Sequence, residues 1–369
     1  MMKKSLAFTV LLMMALSVMF VFAACGEDIP EEDQAAEDVT VEGDDASGEA
    51  ETVEPVVWKI ESAYGSGDQS MDIQMPMLKE VIEEVTDGLV TVEIYEPDSI
   101  CSAADIPMAV INGTLQGGLS SPNDTCSIVE AAYCETTPPF FFTTKEQQYD
   151  CLYNAGWVDF LRKAYYEKGL IYGGFAPQGD QAFFSTFSML SMEDMSGHVL
   201  RALASQADFL TACGASTVTM SGSDIYMGFQ LGTIEGTLYG MCDMYGMGWY
   251  EVIDYCVPCV NAGSPCNFIF NIDAWEALPE DMQTELYEAI QNMYYDLYAE
   301  SEALQQVALD ACAEYDVVVQ EISEEEVARF VEVGMEQMEG WKEKYPEAAE
   351  GFDIILNWKA NDMEQSAAQ

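Results

Sequence analysis

Three arginines stand in a chain of 369 residues that carries 65 acidic and 13 basic side chains. One of them, Arg201, lies inside the apolar-flanked run Val199-Leu200-Arg201-Ala202-Leu203. A guanidinium is planar, permanently charged and able to hold a carboxylate or sulfonate through two parallel hydrogen bonds. Arg201 is therefore a candidate anchor for an anionic ligand, with pairing to one of the many protein carboxylates as the alternative. The second candidate is Cys256-Val257-Pro258-Cys259, the spacing of a redox dithiol or of half a zinc site. A dithiol usually opens a helix after a strand, and zinc wants a second pair. Cys266 is near, but Cys242 and Cys312 show no partner spacing. The single histidine, His198, has no nucleophile signature beside it and reads as structural. No G-x-S-x-G, P-loop or H-E-x-x-H occurs.

Composition bounds what these residues can serve. About half of the chain is apolar and 11% is aromatic, enough for one large or two ordinary domains. The formal net charge of -52 therefore belongs to a folded surface. Such a field repels nucleic acid and anionic lipid head groups, so DNA, RNA and phospholipid-surface partners are excluded.

Residues 1–24 give a basic start at Lys3 and Lys4, an uncharged apolar run and small residues before Cys25. This pattern is an export signal. Phe22-Ala23-Ala24-Cys25 resembles a bacterial lipobox, whose thiol is lipidated and becomes the new N-terminus. An ordinary signal peptide with an incidental cysteine and an uncleaved anchor are the alternatives. Residues 25–55 follow as an acidic tether, with thirteen acidic residues, no basic ones and no aromatics. They are expected to be disordered and to hold a domain off a membrane. No later stretch reaches the ~20 apolar residues of a membrane span.

The elements that position the chemistry read as α/β. Val56–Ala63 is a strand, Met71–Val85 has helical apolar spacing and Leu89–Tyr95 alternates as a second strand. A helix over 103–112, a short strand over 116–121, a helix over 146–168 and a strand over 170–175 follow. In open α/β sheets ligands bind beyond the carboxyl ends of strands, so the loops at Tyr64, Ser120–Asn123 and Pro177–Gln181 are expected to face one site. Met195–Leu203 reads as the arginine strand, 207–213 as a helix, 216–220 as a strand and 224–231 as a short helix. The chain near Cys256 reads as irregular, 267–271 as a strand and 280–313 as one very long helix, with further helices over 324–344 and 347–359.

The stretch Ser191-Met192-Glu193-Asp194-Met195-Ser196-Gly197-His198-Val199-Leu200-Arg201 resembles a segment of the solute-binding subunits of tripartite ATP-independent periplasmic (TRAP) transporters. Cys213-Gly214-Ala215, Asp224-Ile225-Tyr226, Gln230–Gly236 and Trp275-Glu276-Ala277-Leu278-Pro279-Glu280-Asp281-Met282-Gln283 extend the likeness, in order, over roughly residues 56–330. The resemblance implies a two-lobed fold like that of type II periplasmic binding proteins, with crossing strands and a long domain-spanning helix. Lobe I would be 56–177 plus about 261–285, and lobe II 178–260 plus about 286–369.

It also implies that Arg201 bridges to the carboxylate of an organic acid held between the lobes. The loop Pro177–Gln181 would supply a second polar contact, from Gln181 or, with a one-residue shift, Asp180. Without a second arginine there, a smaller or singly charged acid is favoured. Where one branch of the family has acidic metal ligands, this chain has Thr237, Leu238, Tyr239 and Asn267, so neither metal nor other cofactor is expected. Tyr64, Asn123, Tyr239, Trp249 and Asn267 could wall the pocket, with core packing as the alternative for the aromatics. The implied function is a lipid-anchored receptor on the outer face of the cytoplasmic membrane. It would deliver a small organic acid to TRAP membrane subunits without catalysis. The rival readings are a thiol oxidoreductase using Cys256 and Cys259, and an acidic structural lipoprotein.

Overall fold

The computed structural model describes residues 54–262 and 265–367. The expected signal peptide, the lipid site at Cys25 and nearly all of the tether lie outside the described residues. Eleven strands are found among them: β1 (Val56–Ser62), β2 (Val90–Tyr95), β3 (Gly117–Ser120), β4 (Leu170–Pro177), β5 (Asp180–Ser185), β6 (Val199–Arg201), β7 (Ser216–Val218), β8 (Gly236–Gly240), β9 (Tyr255–Ala262), β10 (Pro265–Asn271) and β11 (Val318–Val319).

They form two mixed sheets. One has the order β2-β1-β3-β10-β4 and the other β11-β9-β5-β8-β6-β7. In the first, β1 runs parallel to β2 and β3, while β10 is antiparallel to β3 and β4. In the second, β5 is the antiparallel strand between β8 and β9. Neighbouring strands β4 and β10 leave one sheet where β5 and β9 enter the other, and Pro177 pairs with Pro265 while Asp180 pairs with Ala262. Only Gln178 and Gly179 separate β4 from β5. Gly179 has φ +68°, and a Cβ there would fall 2.7 Å from the Ser301 Cβ and 2.6 Å from Gln305 Nε2. The crossing thus requires glycine for both backbone and space.

Helices cover each sheet through one apolar face. In Met75–Val85 the residues Met75, Leu78 and Ile82 are buried at helical spacing, with Pro76 in the first turn where no backbone N–H is missed. The helix Glu280–Glu314 has 35 residues, about 52 Å at 1.5 Å per residue. Its Leu286, Ile290 and Leu297 pack with Trp58 and Phe268 of the first sheet, whereas Ala308, Ala311 and Cys312 pack with Phe184 of the second and with Trp249 in a turn beside it. It therefore braces both lobes.

Some elements depart from the sequence reading. The expected helix over 146–168 is broken into Lys145–Tyr149, a wide turn over 150–154 and Trp157–Tyr166, with Gly156 at φ +88°. The arginine strand is three residues long, because Met192–Met195 forms a tight 3-10 turn closed by Ser191 and Asp194. The segment around Cys256 is a full strand, not irregular chain. The last helix, Ala349–Ala367, puts Phe352, Ile355 and Leu356 against Phe142 and Trp157 of the first lobe, not against the second sheet. The helix before it, Glu324–Lys344, reaches both: Phe330 packs on Phe183, and Met338 and Trp341 join the first lobe's core. Residues 286–369 therefore do not stay with lobe II, because their apolar faces alternate between the two cores.

Candidate functional site

The carboxyl ends of parallel strands from both sheets converge on a cleft of about 580 Å³. Tyr64 follows β1, Asp98 follows β2 and Asn123 follows β3; on the other side Arg201 ends β6, Ser221 follows β7 and Tyr239 lies on β8. Gln178 and Gln181, at the crossing, complete the lining. All three loops expected to share a site are on this cleft, as strand topology requires of side chains at carboxyl ends.

Arg201 is 3% exposed. Its Nε donates to the Met220 carbonyl at 3.1 Å, and its guanidinium carbon lies 5.5 Å from the Tyr239 ring centroid. Burial pulls the guanidinium below its ordinary pKa, against the partial opposition of Tyr239 and Tyr64. Among the described residues no carboxylate comes within 4.0 Å of it. Arg329, by contrast, is held by Glu193 and Glu326, and Arg162 stacks over Tyr287 at 4.1 Å, outside the cleft. A desolvated charge costs several kcal/mol unless a counter-charge and hydrogen bonds offset it. Among the described residues the anionic partner of Arg201 is thus missing.

Gln181 is 2% exposed, and its buried Nε2 has no hydrogen-bond partner among the described residues. Asp180 is not on the lining; its carbonyl accepts from the Met241 N–H. Asn123 lines the cleft beside Ser121, whose Oγ accepts from the Asn123 N–H and caps the short helix Pro122–Thr125. Tyr64 and Tyr239 are also on the wall. Two other expected wall residues sit behind it. Trp249 meets Tyr239 edge-on, with ring centroids 5.0 Å apart, and is core. Asn267, in the middle of the first sheet, donates from Nδ2 to Glu135 at 3.1 Å and to the Tyr165 hydroxyl at 2.9 Å. Its role is to partner a buried carboxyl, which burial pushes up to about 7.

Sequence reasoning missed Asp68, Gln178 and Gln206, all of which line the cleft. Gly65-Ser66-Gly67 before Asp68 signals a loop, yet one aspartate among so many acids carries no signal of its own. Asp68 is 0% exposed, accepts from the Ser70 N–H at 2.8 Å and from the Tyr239 hydroxyl at 3.3 Å. Behind it Asp243, 1% exposed, accepts from the Gln69 N–H at 3.0 Å. Burial raises both carboxyls, Asp68 to about 6, and Asp243 is pushed up further by the charge of Asp68.

The cysteine motif does not assemble a dithiol. Cys256 and Cys259 are three positions apart on one strand, so their side chains leave opposite faces. Cys256 packs with Cys312 and Trp249, Cys259 with Phe183 and Phe330. Both thiols are held well above their ordinary pKa, Cys256 chiefly by the Cys312 hydrogen bond and Cys259 by burial. His198 stacks flat on Phe187, with ring centroids 3.6 Å apart, and is not on the cleft.

The family model for bacterial extracellular solute-binding protein, family 7, matches residues 62–344. The ectoine-binding periplasmic protein TeaA of Halomonas elongata is 24% identical over 308 residues, which cover 80% of this chain and 84% of that protein. A TRAP periplasmic solute-binding protein from Colwellia psychrerythraea, solved with bound calcium and pyruvate, superposes with TM-score 0.75 at 21% identity, covering 86% of this chain and 98% of the other. One from Desulfovibrio salexigens, with bound orotic acid, gives TM-score 0.74 at 19% identity and covers 83% and 99%. As to a metal like the calcium of the former, no group of three or more His, Cys, Asp or Glu among the described residues is arranged to hold one. No described helix is long and apolar enough to cross a membrane.

The buried carboxyls set a pH dependence. Asp68 rises from 3.8 to about 6 and Glu135 from 4.5 to about 7, so between these values the folded chain holds more protons than the unfolded one. Their contribution is then complete below the ordinary values and lost as pH rises through the folded ones. Thermal unfolding of the ligand-free protein should give a melting temperature that falls from about pH 4.5 to about pH 7, with a shallower fall in Asp68→Asn. A melting temperature that climbs across this window in both proteins contradicts the assignment.

Proposed function

Since the chain belongs to the bacterial extracellular solute-binding proteins of family 7, we propose that it is the receptor of a TRAP transporter and takes a small organic anion into the cleft between its sheets. The observation that carries this reading is Arg201, buried on the cleft wall with no counter-charge among the described residues. The acid group of the ligand supplies that charge, and the idle Nε2 of Gln181 offers a neutral donor beside it. Asn123, Tyr64 and Tyr239 shape the remaining wall, as amides and aromatic faces do in small-ligand sites. Pyruvate and orotic acid, bound by the Colwellia and Desulfovibrio proteins, are both carboxylates, which supports an acid as the cargo.

In this reading the two sheets with their helices act as lobes, with the crossing at Gln178 and Gly179 as part of the hinge. An open and a closed arrangement exchange, and ligand contacts from both sides favour the closed one, which the membrane subunits recognise. Catalysis has no place in the cycle. Lipid at Cys25 and the acidic segment of residues 25–55 keep the receptor at the outer face of the membrane.

Ligand that binds only the native state raises stability by RT ln(1 + [L]/Kd), about 2.7 kcal/mol at a hundredfold excess over Kd. A thermal-shift screen of organic acids should therefore find a stabilising acid, and Arg201→Ala should weaken its binding by about 2–5 kcal/mol, roughly thirtyfold or more. Equal responses of wild type and variant to the best acid would sink the reading. For the anchor, full-length protein expressed in bacteria should partition into detergent, and Cys25→Ala should stay in the aqueous phase. Detergent partitioning that survives the substitution would rule out the lipid.

A further inference from the structure

The charges around the cleft are not balanced for a simple anion. Against one cation, Arg201, the lining carries Asp68, Asp98 and Asp124, and Asp243 lies directly behind Asp68. Burial raises the carboxyl of Asp124 as well. Among the described residues neither Asp68 nor Asp243 forms an ion pair. Among the described residues Asp243 Oδ2 has no hydrogen-bond partner, and the neighbouring Cys242 thiol donates to the Gln178 carbonyl at 3.2 Å. Asp68 and Asp243 also come from different lobes, one from the loop after β1 and the other from the turn after β8, so the negative pole forms where the lobes meet.

Tyr239 connects that pole to the cation. Its hydroxyl donates to Asp68, and the face of its ring lies toward Arg201. A positive and a negative side chain, both buried and on opposite sides of the cleft, are therefore linked through the one phenol of Tyr239. Once an acid group neutralises Arg201, a second carboxylate would meet Asp68 with no further cation on the lining to screen it, and a bare monocarboxylate would leave Asp68 uncompensated; both are unfavourable in a desolvated site. A ligand that carries its own positive charge relieves both poles at once, and the carboxylate of Asp68 is an acceptor of the right kind for an ammonium or iminium N–H.

We propose that the ligand is a compact zwitterion, its acid group on Arg201 and Gln181 and its cationic nitrogen on Asp68, which makes Asp68 the residue that selects amino acids over plain carboxylic acids. This inference rests on the reading of Arg201 as the anion anchor. Asp98 and Asp124, nearer the rim, add to the same preference through the field inside the cleft.

The test is calorimetric titration at pH 7.5 of matched pairs that differ only in the cationic nitrogen. Proteinogenic amino acids are run against the corresponding deaminated acids, proline against cyclopentanecarboxylate, and 4-aminobutyrate against butyrate. In the wild type, which needs no variant, at least one zwitterion should bind ten times or more tighter than its partner acid. Asp68→Asn, with Asp243→Asn as a second variant and circular dichroism as the fold control, should bring that ratio below about three. Failure of every zwitterion to bind, plain acids that bind as tightly as their amino partners, or a ratio unchanged in a folded Asp68→Asn overturns the inference. If plain acids bind and lose affinity in Arg201→Ala, the anchor survives while the zwitterion falls. If binding is indifferent to Arg201, both fall.

Discussion

The structure depends on a charge in a dry place that has no ion-pair partner among the described residues. Arg201 is taken out of water at the end of a three-residue strand, yet the only hydrogen bond its Nε finds is to a backbone carbonyl. In a chain with five times as many acids as bases, a carboxylate partner would be the easy solution. The folded chain instead leaves acids close by but aimed elsewhere: Asp68 toward Tyr239 and the Ser70 backbone, Asp243 toward the Gln69 backbone. The cost of that arrangement is tolerable when a ligand completes it, and a binding receptor is under no demand to be most stable empty.

The architecture serves this constraint. Parallel strands in two sheets point their carboxyl ends at a shared space, and strands crossing between the sheets keep the two sets of ends in register. Gly179 lets the crossing pass close under Ser301 of the long helix, so that helix packs against the passage between the two sheets. Gly246 and Gly67 likewise bring the two sides together, since a Cβ on Gly246 would fall 2.4 Å from the Gly67 carbonyl oxygen. Rigid bodies joined at narrow, glycine-containing passages are suited to hinge motion.

Much of this was legible before any coordinates. Strand-helix alternation identified an α/β chain, and the rule of carboxyl ends placed the loops at Tyr64, Asn123 and Gln181 on one site. What was lost has particular causes. Strands β5 and β8 are buried on both faces, so they lack the alternation that marks a half-exposed strand; in β9, Pro258 and the cysteines obscure the strand pattern. The asparagine at 267 looked like a polar pocket residue, but its partner Glu135 is 132 positions away, a distance no local pattern reports. Asp68 was invisible for the opposite reason: acidic residues are so common here that only burial distinguishes the one that matters. The last helix escaped lobe II because amphipathicity says that a face is buried but not against which core.

The most direct measurement is a crystal structure of residues 54–369 with the most strongly stabilising acid from a thermal-shift screen. The account predicts the acid group within hydrogen-bond distance of the Arg201 guanidinium, enclosed by residues of both lobes. An acid bound away from Arg201, or an Arg201 that turns to a protein carboxylate while the cleft is filled, would contradict it.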